Sequence, residues 1–185
     1  MRVLAVNGSP RKNGNTYQML NYILKAIGDG AEKELIHLKD YKLDPCDACY
    51  SCMNGGRCHI KDDVERILDS TIRADAVIIG SPVYYGSVTP ETMMFCDRIG
   101  FMSGGKLEGK IGVPVTVARR WGHISAMMQI TVWFLNLGMI VPGPGGGWCS
   151  ATARDVDDFE KDKEGVEIAK KMGIKIGELL NKLFK

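Results

Sequence analysis

The sequence predicts an α/β protein in which a doubly wound, five-stranded parallel sheet carries helices on both faces. Short apolar runs rich in β-branched residues, such as 76–80, are typical of strands that are buried on both faces. Segments with apolar residues at helical spacing follow these runs, and this alternation of strand and helix is typical of a parallel sheet. A length of 185 residues agrees with a single domain spanning 1–185.

The predicted elements follow one another in a regular order. Strands are expected at 3–6, 35–38, 76–80 and 111–117, and a fifth strand starts at 139–141 and is broken by 142–147. The first helix has Asn15 or Thr16 as its expected N-cap residue, and the second has Asp62 or Asp63. Three further helices are expected from apolar residues at helical spacing, over 93–99, 124–135 and 166–183.

Composition excludes several classes of protein. The 24 basic and 22 acidic residues nearly cancel, so the chain has no electrostatic footprint for nucleic acid. The longest apolar stretch, 131–141, is far below the ~20 residues that span a bilayer, so no membrane association is expected. The first apolar run, 3–6, is too short for a signal peptide, which predicts a cytoplasmic protein. Thiols stay reduced there, so the six cysteines indicate metal binding or redox chemistry before disulfides.

The first loop, residues 8–16, links strand one to helix one and has the composition of an anion site. Ligands of doubly wound sheets bind at the carboxyl ends of the strands, where a helix N-terminus and free N–H groups favour a phosphate. Ser9, Asn15 and Thr16 add short donors, and Arg11 adds a guanidinium that can grip a phosphate. The spacing matches neither the Walker pattern nor the G-x-G-x-x-G turn. A polar turn that only caps a helix is the alternative.

This loop carries a family resemblance. Gly8-Ser9-Pro10-Arg11 followed by Gly14-Asn15-Thr16 resembles the phosphate loop of the NADPH-dependent FMN reductases, a branch of the flavodoxin-like proteins. The resemblance implies a flavodoxin-like fold and a bound FMN. It also implies which residues hold the FMN phosphate: Ser9, Arg11, Asn13, Asn15 and Thr16.

The second loop (residues 81–90) and the third loop (118–123) follow strands three and four. A flavin ring needs a flat apolar contact and backbone groups for its polar edge, and the second loop could supply both. The alternative is that the second loop only links a strand to a helix and packs its two tyrosines. The resemblance extends to both loops, although the family often has more glycine in the third. Its implied flavin-binding residues are Pro82, Val83, Tyr84, Tyr85, Gly86, Ala118 and Arg119. His123 is expected to be a helix-start residue.

Four cysteines after strand two form the most specific motif in the chain. Cys46, Cys49, Cys52 and Cys58 have the spacing C-x2-C-x2-C-x5-C, in which the two-residue gaps let successive thiolates face one cluster. Gly55 and Gly56 allow the tight return that brings the fourth cysteine back. A four-cysteine zinc site and two disulfides remain alternatives to an iron–sulfur cluster. Two further cysteines, Cys96 and Cys149, are expected to be buried small hydrophobic residues.

Taken together, the flavin loops and the cysteine motif make the chain similar to the iron–sulfur flavoproteins of anaerobic archaea and bacteria. That resemblance implies FMN, a [4Fe–4S] cluster on residues 44–60 (the cysteine loop), and a homodimer or homotetramer. A ferredoxin-like donor would transfer electrons to the cluster. The cluster would then reduce FMN, and the reduced FMN would reduce a small-molecule acceptor. One alternative is an NAD(P)H-dependent FMN or quinone reductase with structural or vestigial cysteines. Another is a non-catalytic redox-responsive or zinc-stabilised binding module.

Overall fold

The computed structural model describes residues 1–54 and 56–184, and it confirms the predicted doubly wound parallel sheet. The strands are β1 (Arg2–Asn7), β2 (Glu32–His37), β3 (Ala76–Pro82), β4 (Ile111–Ala118) and β5 (Ser150–Thr152). They are all parallel and lie in the order β2-β1-β3-β4-β5. The α-helices are α1 (Asn15–Ala26), α2 (Val64–Arg73), α3 (Pro90–Met102), α4 (His123–Asn136) and α5 (Lys163–Leu183).

Alternating strand residues build a separate core on each face of the sheet. In β1, Val3 and Ala5 pack into the core shared with α1 and α5, whereas Leu4 and Val6 pack into the core shared with α2, α3 and α4. Because strand side chains alternate between the two faces, a strand buried on both sides is apolar at nearly every position. This is why continuous apolar runs in the sequence predicted the positions of the central strands.

The fifth strand differs from the sequence expectation. Of residues 139–141, only Ile140 pairs with the sheet, through an isolated bridge to Ile111. The chain then leaves the edge of β4 through a segment with two prolines, and Pro142 and Pro144 have no N–H to donate to a ladder. It returns at Ser150–Thr152, which forms β5 beside the last residues of β4.

The start of α1 also differs from expectation. The N-cap residue is Gly14, and Asn15 is already the first helical residue, so neither Asn15 nor Thr16 caps the helix. The cap of α2 is Asp63, as expected, although its side chain makes no capping hydrogen bond. Instead, the Asp62 carboxylate accepts from the N–H of Val64 at 3.1 Å.

The topology brings the carboxyl ends of β1, β3 and β4 together. Between β1 and β3 the strand order reverses, which is where doubly wound sheets bind ligands. The first, second and third loops all leave the sheet at this edge, and the cysteine loop follows β2 beside them. None of the helices in residues 1–54 and 56–184 is both long and apolar enough to cross a membrane.

Candidate functional site

The first loop is held open by its own side chains. The buried Asn7 at the end of β1 accepts from the Ser9 N–H at 3.1 Å, and the Ser9 hydroxyl accepts from the Arg11 N–H at 3.1 Å. The Asn7 amide group donates to Nδ1 of His37 at 2.9 Å, so that nitrogen is unprotonated. Burial lowers the pKa of His37, and the nearby Asp40 offsets only part of that effect. The neutral imidazole of His37 thus holds the side chain of Asn7, which in turn shapes the first loop.

The N-terminus of α1 opens into this loop. Gly14 has no side chain to cap the helix, and the first turn contains no acidic residue. The first free helical N–H groups and the positive end of the helix dipole therefore favour an anion here. Ser9 and Thr16 are buried beside the helix start, whereas Arg11 and Asn13 are exposed at the rim.

Asn15 has a different role from the one the sequence suggested for its side chain. Its amide nitrogen donates to the Asp155 carbonyl at 2.8 Å, and its amide oxygen accepts from the Phe159 N–H at 3.0 Å. The carboxamide therefore holds the segment between β5 and α5 against the first loop. What Asn15 offers the loop is its backbone N–H at the start of α1.

The first and second loops form one hydrogen-bonded unit. The Gly8 N–H donates to the Gly80 carbonyl at 2.8 Å, and the Thr89 hydroxyl donates to the Gly8 carbonyl at 2.7 Å. Thr89 also caps α3, and its hydroxyl lies 2.8 Å from that of Thr92. A Cβ on Gly8 would overlap the Thr92 hydroxyl, so only glycine fits between these elements.

A tight turn shapes the second loop. Tyr84 and Ser87 exchange two backbone hydrogen bonds of 2.9 Å each. The two residues between them, Tyr85 and Gly86, both have positive φ, of 51° and 81°. Positive φ at both central positions is the signature of a type I′ turn. The turn leaves the Tyr85 ring fully exposed at the sheet edge.

The third loop packs against this turn and forms a cleft with it. Gly122 has φ 90°, and a Cβ there would lie 2.9 Å from Val83 Cγ1 and 3.0 Å from the Gly86 Cα. The cleft has a volume of about 250 Å³ and is lined by Val83, Tyr85, Gly86, Arg119, Arg120 and Trp121. Of the residues expected to bind the flavin ring, Pro82, Tyr84 and Ala118 lie outside this lining. Ala118 is buried at the end of β4, and its carbonyl accepts from the Ala153 N–H at 2.9 Å.

The cysteine loop is closed at its base by hydrogen bonds between its two ends. The Lys42 N–H donates to the Asp63 carboxylate at 2.9 Å, and the Asp63 N–H donates back to the Lys42 carbonyl at 3.0 Å. The Asp44 N–H donates to the Asp62 carboxylate at 2.9 Å. These contacts bring the ends of the motif together and leave the cysteines in the enclosed segment.

All four cysteines line one small, partly open cavity. The cavity also contains apolar side chains of α3, namely Phe101 and Met102, together with Arg98. Ala48 and Tyr50, between successive cysteines, have φ 57°, which turns the backbone at each two-residue gap. Gly56 is crowded by the Ser51 carbonyl, at 2.6 Å from the position of a Cβ, and Gly55 lies outside the described residues. All four cysteine side chains therefore line one space.

The four cysteines of this cavity are free thiols. Among the described residues, the group of potential metal ligands whose atoms lie within 4.8 Å of one another is Asp47, Cys49 and His59. Burial raises the pKa of Cys52, and the neighbouring thiols of the motif raise it further. At the rim, His59 and Asp47 form an exposed pair with 2.7 Å between Nε2 and Oδ2.

Sequence reasoning missed the charged pair beneath the cysteines. The side chains of Arg98 and Asp62 are 1% and 0% exposed, and two hydrogen bonds of 2.8 and 3.1 Å join them. Burial alone raises the pKa of Asp62, but hydrogen bonds from Arg98 and from two backbone N–H groups outweigh it and lower that pKa. A signal was available, because Arg98 interrupts the buried face of α3 between Phe95 and Met102.

The expectations for Cys96, Cys149 and His123 are confirmed. Cys96 and Cys149 are buried, and burial raises the pKa of the Cys149 thiol to about 12. Both are therefore inert small side chains within the core. His123 is the first residue of α4, where its Nε2 lies 3.0 Å from the Ala151 carbonyl oxygen.

Comparison with known proteins agrees with this geometry. The model of the NADPH-dependent FMN reductase family matches residues 1–152. An iron–sulfur flavoprotein of Methanocaldococcus jannaschii is 38% identical over 97% of each chain. An iron–sulfur flavoprotein of Archaeoglobus fulgidus is 37% identical over 76% of this chain and 71% of its own. A solved archaeal flavodoxin superposes with a TM-score of 0.65 at 17% identity, covering 98% of this chain and 99% of the flavodoxin.

The fold is thus flavodoxin-like, as expected, and the site lies at its switch point. The chain belongs to the NADPH-dependent FMN reductase family and, within it, to the iron–sulfur flavoproteins. Membership of this family makes it an oxidoreductase of the flavoprotein class.

Proposed function

We propose that the chain holds FMN and a [4Fe–4S] cluster and relays electrons from a one-electron, ferredoxin-like donor to a small-molecule acceptor. The observation that carries this proposal is the convergence of four free cysteines on one small cavity beside α3. The same helix begins at the second loop, where Thr89 caps it. A cluster exchanges single electrons and FMN exchanges one or two, so together they connect a one-electron donor with a two-electron acceptor.

The first three loops supply what FMN needs. The open start of α1, with Ser9, Thr16 and Arg11 around it, binds the phosphate. The cleft of about 250 Å³ between the second and third loops takes the ring, with Val83 and Trp121 as apolar walls. Arg119 at the rim provides a cation for the polar edge of the ring or for an anionic acceptor.

The cysteine loop fits an iron–sulfur cluster better than zinc. Zinc–thiolate bonds of ~2.3 Å in a tetrahedron hold sulfurs only ~3.8 Å apart, and such a zinc site usually draws on two separate cysteine pairs. The four cysteines here form one compact run, C-x2-C-x2-C-x5-C, rather than two separate pairs, and this spacing suits an iron–sulfur core. Phe101 and Met102 provide an apolar wall on the side of the cavity formed by α3.

Cofactor analysis of protein purified without oxygen tests this proposal. Iron, acid-labile sulfide, zinc and FMN are measured on the wild type, Cys49→Ser and Cys149→Ala. About four iron and four sulfide per chain with about one FMN are expected for the wild type and for Cys149→Ala. Cys49→Ser is expected to lose iron while it keeps FMN. FMN without iron or sulfide in the wild type would refute the relay.

A second candidate is a direct NAD(P)H-dependent FMN or quinone reductase with vestigial cysteines. The match to the NADPH-dependent FMN reductase model favours it. It predicts that NADPH bleaches FMN at the same rate in the wild type and in Cys49→Ser. A zinc-stabilised binding module, the remaining alternative, would yield tightly bound zinc and no flavin in the same analysis.

We also propose that the chain forms a homodimer or homotetramer. Four residues on one face of α4 are apolar and 43–58% exposed, namely Ile124, Met128, Val132 and Leu135. Their spacing forms one continuous stripe, which is typical of a helix that packs against a second copy. Light scattering on the wild type and on Val132→Glu checks this, since the charge should dissociate the oligomer. A wild-type monomer would contradict it.

A further inference from the structure

We infer that Arg98 is a positioning residue that presents an edge of N–H donors to the cluster and thereby raises the cluster's reduction potential. This inference rests on the proposed function, because it requires that the cysteine loop holds an iron–sulfur cluster. It concerns a residue of α3 that lies outside the cysteine motif and outside the flavin loops.

Arg98 is joined to both ends of the cysteine loop. Its Nη1 donates to the Asp44 carbonyl at 2.7 Å and to the Asp62 carboxylate at 2.8 Å. Its Nη2 donates to the other Asp62 oxygen at 3.1 Å and to the Cys58 sulfur at 3.3 Å. The guanidinium therefore bonds directly to one of the four candidate cluster ligands, while its side chain is 1% exposed.

The planar guanidinium has two usable edges, of which one is fully occupied and the other is half occupied. The Nη1 and Nη2 groups form the fork that grips Asp62. The other edge consists of the Nε–H and the second Nη2–H, which point in parallel. Nη2 donates to Cys58 along this edge, and the buried Nε has no partner in residues 1–54 and 56–184. A donor is thus left free beside the Cys58 sulfur.

The buried surroundings of Arg98 explain how its N–H donors would act on a cluster. Burying an unpaired N–H destabilises a protein unless a partner arrives. Asp62 balances the charge of Arg98, so the site contributes N–H donors more than net charge. When an external reductant such as dithionite adds one electron to the cluster, its sulfurs become more negative and hydrogen bonds to them strengthen. No proton needs to leave Arg98, and the donors favour the reduced cluster, which raises its potential.

Two variants separate hydrogen bonding from charge and from folding. Arg98→Lys keeps a cation next to Asp62 but loses the planar edge that faces Cys58. Arg98→Met/Asp62→Asn removes both charges together, so that no buried charge is left unpaired. Arg66→Lys is the matched control, because Arg66 forms an exposed ion pair with Asp63 at 3.2 Å in the same region.

The test is an anaerobic dithionite titration of each holoprotein, followed by electron paramagnetic resonance. We expect both Arg98 variants to bind iron, sulfide and FMN, to titrate at more negative cluster potentials, and to show altered g values of the reduced cluster. The FMN potential should stay unchanged, and Arg66→Lys should match the wild type. Cluster potentials and g values equal to the wild type in either Arg98 variant would overturn the inference and leave the proposed function intact. A wild type without iron would instead refute the proposed function.

Discussion

Replacing Gly8 by alanine probes how tightly the first loop is joined to α3. Gly8 lies between the Gly80 carbonyl and the Thr92 side chain, and a Cβ would stand 3.2 Å from the former and overlap the hydroxyl of the latter. Thr92 is fully buried, and its hydroxyl faces that of Thr89 at 2.8 Å. Since the Thr89 proton is already donated to the Gly8 carbonyl, Thr92 is the donor in this pair.

The cost of Gly8→Ala follows from these contacts. Forcing an extra methyl into a close-packed site costs about 1–3 kcal/mol. Turning the Thr92 hydroxyl away loses a buried hydrogen bond worth about 0.5–1.5 kcal/mol. The reduced entropy of the unfolded chain returns about 0.4–1 kcal/mol. The free energy of unfolding should therefore fall by about 0.5–4 kcal/mol, and Tm by ~2–4 °C for each of those kcal/mol.

Urea denaturation of the flavin-free protein measures this change. Gly30→Ala is the control, because Gly30 has open space around its Cα and should lose no stability. The double variant Gly8→Ala/Thr92→Ala should be more stable than the two single changes predict together, by about 0.5 kcal/mol or more. A Gly8→Ala protein within 0.5 kcal/mol of the wild type, or strictly additive changes, would show that the proposed overlap is wrong.

Two further predictions concern the packing of α5 and the pH dependence of the first loop. Gly173→Ala places a methyl 2.6 Å from the Ala26 Cβ and against the Ile23 carbonyl, so a loss of about 2 kcal/mol is expected by urea denaturation; stability equal to the wild type would contradict it. Because the pKa of His37 is lower in the folded state, the unfolded chain binds the proton first, and stability should fall as the pH drops through about 6.5. Urea midpoints are measured between pH 8 and 5, which spans about 1.5 pH units on either side of that value. The midpoint should decline with falling pH in the wild type and decline less in His37→Gln. An equal dependence of the midpoint on pH in both proteins would rule out His37 as the source of the decline.

The central part of the fold was predictable because its signals are local. A strand buried on both faces is apolar at nearly every position, and 76–80 and 111–117 satisfy this without help from distant residues. The fifth strand was not predictable in this way. Its three residues, Ser150–Thr152, are too few and too mixed to show a period, and their pairing with β4 depends on where the preceding loop returns.

The candidate site shows the same difference between local signals and long-range contacts. The four cysteines were found from their spacing, since short-range turns at Ala48 and Tyr50 bring them to one cavity. Arg98 was missed because its partners are 36 to 54 residues away in sequence. The contacts of the Asn15 carboxamide could not be predicted for a similar reason, because they join it to a segment about 140 residues further on.

The closed base of the cysteine loop has a consequence for how such proteins diversify. The loop follows β2, the edge strand, and its ends are joined by Lys42 and Asp63 before the enclosed segment begins. A segment bounded in this way can change length without shifting the register of any strand, and each doubling of its length costs only about 0.6 kcal/mol of closure entropy. The loop is therefore an interchangeable module, which selection can lengthen, shorten or empty of its cysteines while the flavin half of the molecule stays as it is.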